Sequence, residues 1–187
     1  MNTMTDPDRT TGHGWTAVRW GSAAALLALP WVAMQFDTGV NWSAGDFVVF
    51  GAMLAAVCGT WELVARRRRG AAYRVAAGVA LAAAFLELWI DLAVGIAGSP
   101  GGSLNRLFLA VLALGIGGTV LVRGRAAGMT RVMAMMALVQ AGVGVAIAGA
   151  TATRFGPLVV LSLLFTGLWL LCAGLFARAA RERRSAA

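Results

Sequence analysis

The stretch YRVAAGVALAAAFLELWIDLAVGIAG, residues 73–98, decides the fold. It is almost wholly apolar, and a helix needs about 20 apolar residues to cross the hydrocarbon core of a bilayer. A run of four arginines at 66–69 precedes it, and the turn-forming sequence SPGG at 99–102 follows it. An apolar run with such boundaries predicts a transmembrane helix.

The composition of the whole chain extends this prediction. Of its 187 residues, 59% are hydrophobic and 13% are charged, and that charged share is about half of what a soluble domain carries. All 16 basic residues are Arg and the net charge is +8. The arginines cluster between apolar runs rather than along one face of a soluble module. They therefore indicate membrane topology, and we expect a lipid bilayer as the partner and no nucleic acid.

Apolar segments of similar length recur along the chain. Six of them run from Ala17 to Phe36, Phe47 to Ala65, Tyr73 to Gly98, Leu107 to Val122, Val132 to Ala150 and Phe155 to Ala177. The first contains Arg19 and Pro30, so a re-entrant or interfacial segment is the alternative to a crossing there. We predict an all-α fold, a polytopic transmembrane bundle of six helices.

The arginine distribution predicts how these helices are oriented. With six crossings, fourteen of the 16 arginines fall on one side of the membrane, and Arg106 and Arg154 fall on the other. Cytoplasmic loops are enriched in Arg and Lys, so both termini are expected in the cytoplasm. Residues 1–16 then form a polar cytoplasmic tail, 17–177 the transmembrane domain, and 178–187 a basic cytoplasmic tail.

Glu87 and Asp91 are the unusual residues of the opening stretch. They lie one helical turn apart, so their side chains project from about the same face. A charge at the bilayer centre costs about 2.5 to 3.5 kcal/mol on insertion scales, so intramembrane acids usually face a bundle interior, find a partner or stay protonated. A functional interpretation makes the two acids a proton or cation site, with Gln140 as a neutral ligand and Arg106 lining the same polar path.

A structural interpretation of these acids stays open beside the functional one. The long side chain of Arg106 or Arg154 could reach inward from the outer boundary and pair with Asp91. Glu87 would then remain neutral in a hydrogen bond to a neighbouring helix.

Small residues at helical spacing predict where the helices meet. They are Ala76, Ala80 and Ala84 in the third segment and Ala137, Ala141, Gly144 and Ala148 in the fifth. Such stripes let backbones approach closely. Gly115, Gly117 and Gly118 in the fourth segment serve the same contact or let the helix bend. Trp89 in the third segment and Trp169 in the last lie deep in their segments and are expected to pack between helices.

The sequence lacks the combinations of histidine and cysteine that many enzymes use for catalysis or metal binding. His13 is the sole histidine, so the chain has no haem pair, zinc set or histidine-based triad. Cys58 and Cys172 lie in apolar segments without C-x-x-C spacing and are expected to be small buried hydrophobes. We expect no catalytic residue, no cofactor and no metal. Because no apolar h-region precedes residue 17, no cleavable signal peptide is expected.

Several strings resemble an uncharacterised family of small bacterial multi-pass membrane proteins. They are VAMQF at 32–36, VNWSAGDF at 40–47, WEL at 61–63 and WIDLAVGIAGSP at 89–100. The resemblance implies a helical protein of the bacterial inner membrane, with an acid or Asn at the place of Asp91. An acid at Glu87 is not part of that pattern, which argues against an essential pair of acids. The resemblance implies no activity.

Two functions follow from these observations. The small-residue stripes and the lack of catalytic side chains favour a structural or accessory bundle that binds another membrane protein or a second copy of itself. The alternative is a small transporter or channel for protons or cations that uses the acids of the third segment.

Overall fold

In a computed structural model, the described part of the chain consists mainly of α-helices. The structure describes residues 8–36, 39–67, 70–93, 105–151 and 156–185. The helices are α1 (Asp8–Ala33), α2 (Ala44–Arg66), α3 (Ala71–Ala93), α4 (Asn105–Leu121), α5 (Ala126–Thr151) and α6 (Pro157–Ser185). No strand occurs within these ranges, so the predicted all-α class with six helices is confirmed.

Four of the helices are long and apolar enough to cross a membrane. They are α2, α3, α6 and the part of α5 over Ala126–Gly149. The fourth helix is apolar over Arg106–Leu121 but shorter, and at 1.5 Å per residue its 17 residues extend about 26 Å. The first helix contains Arg19 and Pro30 and is not among these four.

Three helices extend well beyond the apolar segments that predicted them. The helix α1 begins at Asp8 rather than Ala17, α5 begins at Ala126 rather than Val132, and α6 continues to Ser185 rather than ending at Ala177. Apolarity marks the part of a helix that lipid can solvate, whereas the helix itself continues wherever its backbone hydrogen bonds are made. Arg and Glu are good helix formers, and an exposed ion pair from Arg178 to Glu182, 3.0 Å long, joins successive turns at the end of α6.

The chain divides into two compact units, residues 1–66 and 67–187. In the first unit α1 and α2 pack on each other, and Gly51 lies so close to Leu27 that a Cβ at position 51 would be 3.5 Å from its methyl group. The start of α2 is capped by Ser43 and Asp46, since the Asp46 carboxylate accepts hydrogen bonds from the backbone N–H and the hydroxyl of Ser43 at 2.7 and 2.8 Å. Such a reciprocal cap satisfies donors that a helix start leaves without partners.

The second unit is a ring of four helices, each of which contacts two neighbours. The contact between α5 and α6 is the most extensive, followed by those of α3 with α6, α4 with α5 and α3 with α4. The side chains at its centre are at most 2% exposed, namely Ala76, Phe108, Val111, Met136, Ile147, Phe165, Trp169 and Phe176. These residues place the core on one face of each helix.

The connection between α4 and α5 is a tight turn with left-handed backbone. Arg123 has φ 51° and Gly124 φ 63°, and Gly124 donates its N–H to the carbonyl of Thr119 at 3.1 Å, the bond that ends many helices. The hydroxyl of Tyr73 donates to the carbonyl of Gly124 at 2.8 Å. Its ring meets Phe176 edge-on with centroids 5.1 Å apart. Tyr73 therefore connects α3 to this turn and to α6.

Glycines set the spacing of α4 and α5. A Cβ on Gly118 would lie 2.8 Å from a methyl carbon of Val132, and one on Gly115 would lie 2.6 Å from the sulfur of Met136, while Gly117 has nothing within 4 Å. Gly115 and Gly118 thus serve close contact between helices, one of the two roles expected for this group.

Along the apolar stretches of the helices, large hydrophobic side chains are exposed and four polar side chains are buried. Large hydrophobic residues are more than half exposed on every span, among them Val48, Leu63, Val75, Ile116, Leu138, Val145 and Leu163. Glu87, Asp91, Gln140 and Ser162 are buried instead. A soluble domain shows the opposite arrangement, whereas a bilayer solvates apolar side chains and leaves polar groups to find partners inside. The distribution is that of a membrane protein.

Replacing Gly118 by Ala should destabilise the protein, and replacing Gly117 by Ala should not. Val132 is β-branched and cannot move aside easily, so the added methyl group at position 118 is expected to cost about 1–3 kcal/mol of unfolding free energy. At position 117 the same change meets open space and should stabilise the helix by about 0.5–1 kcal/mol. Thermal unfolding followed by circular dichroism in detergent measures both. Equal stability of the two variants would contradict this packing.

Candidate functional site

Three of the four residues predicted to form a polar site are buried in the second unit. Glu87 and Gln140 are 0% exposed and Asp91 is 4% exposed. Arg106 lies in the first turn of α4 and is exposed. The structure therefore places the two acids and the amide inside the helix ring and the arginine on its surface.

The ion pair of Asp91 with Arg106, one of the two pairings that the structural interpretation allows, does not occur within the described residues. Their ion pairs are Arg66 with Glu62 and Arg178 with Glu182, each within one helix. Arg106 takes part in neither of them, and Arg154 lies outside the described residues.

The centre of the site is a meeting of three helices at the Glu87 carboxyl. The amide of Gln140 on α5 and the indole of Trp169 on α6 both lie close enough to this carboxyl to act as hydrogen-bonding groups, and Asp91 lies one helical turn away on α3. Within the described residues, however, neither carboxyl oxygen of Glu87, neither side-chain polar atom of Gln140 nor the indole nitrogen of Trp169 completes a hydrogen bond of regular geometry. We refer to Glu87, Gln140 and Trp169 as the buried polar cluster.

Beside the cluster, α5 and α6 are held together by a buried hydrogen bond. The hydroxyl of Ser162 donates to the backbone carbonyl of Gln140 at 2.8 Å. One turn further along α5, a Cβ on Gly144 would lie 2.7 Å from that hydroxyl oxygen. Only glycine at 144 leaves room for this approach, and the approach sets the register in which Gln140 and Trp169 both reach Glu87.

Sequence reasoning did not include Ser162 and did not connect Trp169 with Glu87. The signal that marks both is the spacing of three and four along α6, where Ser162, Phe165, Trp169, Cys172 and Phe176 are all buried. Such spacing indicates the inward face of a helix. It does not show which residues of other helices that face meets, so the cluster becomes visible only in the structure.

The arrangement favours a neutral polar connection between helices. No arginine pairs with Glu87 in the described part of the chain, and an isolated carboxylate in so buried a place would be costly. No group of three or more His, Cys, Asp or Glu side chains in that part could hold a metal ion. Of the two best-formed depressions on its surface, neither is lined by a residue of the buried polar cluster.

Comparison with known proteins leaves the site to be interpreted from its geometry. No family model, no curated protein and no solved structure matches the chain. The roles given to Glu87, Gln140 and Trp169 therefore rest on their burial and their contacts.

A double-mutant cycle should show that Glu87 and Gln140 are coupled. Each single change to Leu removes one polar group and leaves the other buried without it, so each should cost about 1–3 kcal/mol of unfolding free energy. The double variant should cost less than the sum, with a coupling of about 0.5–3 kcal/mol. Unfolding in detergent monitored by tryptophan fluorescence measures all four proteins.

The matched control for this cycle combines Glu87→Leu with Tyr73→Phe. The two positions are 14 residues apart on α3, or about 21 Å, so their effects should add within about 0.5 kcal/mol. Additivity of Glu87→Leu with Gln140→Leu as well would show that the two side chains do not interact.

Proposed function

We propose that this protein is a structural or accessory helical bundle of the bacterial inner membrane that binds another membrane protein or a second copy of itself. It crosses the membrane six times, with both termini in the cytoplasm, as its arginine distribution favours. The observation that carries the proposal is an exposed stripe of small residues on α5, in a unit whose polar side chains Glu87, Asp91, Gln140 and Ser162 are buried.

The stripe consists of Gly142, Ala146 and Gly149, and all three residues are exposed. A Cβ on Gly142 or on Gly149 would meet nothing within 4 Å. On another side of the same helix, Gly144 packs against Ser162. Small residues four or three apart on a lipid-facing side let a second helix approach closely, which favours association between membrane helices. Close packing within the second unit accounts for the small residue at position 144. Association with another helix accounts for the small residues of the exposed stripe.

The buried polar cluster supports a structural role rather than transport. A proton or cation path needs polar groups that open to water on the two sides of the membrane. Glu87 and Gln140 are fully buried, and together with Trp169 they join three helices of one unit. In this position they stabilise the arrangement of α3, α5 and α6, as polar residues between membrane helices do.

The resemblance to small bacterial multi-pass proteins supports the inner-membrane location. The helices α1 and α4 complete the six crossings of this proposal. With α4 included, Arg123 and Arg125 lie on the same side as the arginines at the end of α6, and Arg106 lies on the other side.

A reporter protein fused after Ala187 should be located in the cytoplasm. Six crossings with a cytoplasmic start return the chain to the cytoplasm, whereas five do not. Alkaline phosphatase, active only in the periplasm, and green fluorescent protein, fluorescent only in the cytoplasm, give opposite signals from the same fusion site. A fusion after Ala33, at the end of α1, serves as the control and should give the periplasmic signal. Periplasmic activity at the C-terminus would overturn the orientation.

Replacing Ala146 by Leu should weaken association without unfolding the protein. The larger side chain keeps the position apolar but blocks close approach, so we expect a loss of crosslinked species of about tenfold, equivalent to about 1.4 kcal/mol. Ala134→Leu makes the same change at another exposed position of α5, outside the stripe, and should leave crosslinking unchanged. Crosslinking in membranes before extraction measures both. If wild-type protein yields only uncrosslinked monomer, the association proposal fails.

A further inference from the structure

We propose that the protein binds the phosphate group of an anionic phospholipid in an arginine-lined depression where α5 begins and α6 ends. The depression has a volume of about 270 Å³ and is lined by Arg125, Ala126, Ala127, Ala180, Arg183 and Arg184. It lies wholly within the second unit and shares no residue with the buried polar cluster. The inference rests on the proposed membrane location.

The depression combines cationic walls with a small-residue floor. Its three charged lining residues are all arginines, and its other lining residues are all alanines. Alanine side chains leave space that longer side chains would fill. The guanidinium groups of Arg125, Arg183 and Arg184 present planar sets of N–H donors that match the oxygens of a phosphate. This composition favours a compact anion.

The backbone at the start of α5 adds to the attraction. The first N–H groups of a helix have no acceptor within the helix, and the helix dipole makes this end partially positive. Ala126 and Ala127 occupy these first positions and line the depression. The first turn of α5 contains no acidic residue, so no side chain of that turn supplies the negative charge that a helix start favours.

The acid nearest in sequence is already paired. Glu182 precedes Arg183 on α6, but its carboxylate accepts a bond from Arg178 at 3.0 Å. The negative charge of Glu182 is thus balanced by Arg178, and neither residue lines the depression. Each of the three residues with a charged side chain that line the depression is an arginine.

The position along the helix axes fits the level of lipid headgroups. The helix α6 has 29 residues, which extend about 43 Å at 1.5 Å per residue. The hydrocarbon core is only about 30 Å thick, so the last turns of α6, with Arg183 and Arg184, project into the headgroup layer. In the proposed topology this is the cytoplasmic side, where a basic pocket between helices is suited to anionic headgroups.

The test is native mass spectrometry of the full chain in detergent with added phosphatidylglycerol or phosphatidylcholine. Wild-type protein should retain phosphatidylglycerol at least about tenfold more strongly than phosphatidylcholine, since each arginine near a membrane surface contributes about 1 kcal/mol toward an anionic lipid. The variant with Arg125→Gln, Arg183→Gln and Arg184→Gln should lose most of that preference.

A matched control removes the same charge elsewhere. Arg74, Arg131 and Arg181 are exposed and do not line the depression, so changing these three to Gln should reduce the preference by less than about threefold. Thermal unfolding of both triple variants checks that each is folded. Replacement of the three lining arginines by Lys, which keeps the charge, should preserve part of the preference if the first variant does not fold.

Three results would overturn the proposal. They are equal retention of the two lipids by wild-type protein, an equal loss in both triple variants, and displacement of phosphatidylglycerol by inorganic phosphate at equal concentration, which would assign the depression to a soluble anion. None of them affects the topology or association experiments. Failure of the protein to enter membranes at all would instead remove the proposed function and this inference together.

Discussion

The hydrogen bond from Ser162 to the backbone of Gln140, with Gly144 beside it, fixes the contact on which the second unit depends. In a hydrocarbon environment two helices gain no hydrophobic free energy by meeting, because lipid tails are as apolar as leucine. Their association rests on close packing and on the few polar groups that satisfy one another. The pair α5 and α6 has the most extensive contact of the molecule, and it combines both of these means at one point.

That contact also explains why the buried polar cluster can exist. The hydrogen bond from Ser162 fixes how far α5 and α6 are shifted along each other, and it is made to Gln140 itself. Trp169 lies two turns along α6 from Ser162. In this register the side chains of Gln140 and Trp169 both reach Glu87. The clustering of three polar side chains lowers the cost of burying each of them, because each lies beside another polar group rather than lipid. The same few residues therefore pack the helices together and bring the buried polar side chains into contact.

The sequence predicted the helices well because apolar length is a one-dimensional property. Each of the six apolar segments corresponds to a helix, and the glycines at 115 and 118 lie at a close contact between helices. The ends were predicted less well, since α1 and α6 continue through polar residues that lipid does not solvate. An apolar stretch indicates the part of a helix that lies in lipid, and a helix can continue beyond the lipid into water.

The site could be predicted only in part, for a related physical reason. Glu87, Asp91 and Gln140 stand out because a polar residue in an apolar run needs a partner, and all three are buried. Which partner each one meets depends on the rotation and register of neighbouring helices. A single residue such as Gly144 determines the rotation and register of two helices by the space that it leaves between them. The local sequence around Glu87 does not indicate that Trp169 is its neighbour. Arg106, grouped with the acids because it could reach inward, faces outward instead.

The left-handed turn at Arg123 and Gly124 has a consequence for how the chain enters the membrane. It joins α4 and α5 so tightly that the two form a helical hairpin, with the carbonyl of Thr119 already bonded across the turn. A 17-residue helix is a weak insertion signal alone, since stable insertion takes about 20 apolar residues. In the six-span topology proposed above, α4 would cross the membrane as one arm of a hairpin with the longer α5. The combined apolar length of the hairpin, rather than that of α4 alone, would then determine whether this part of the chain integrates.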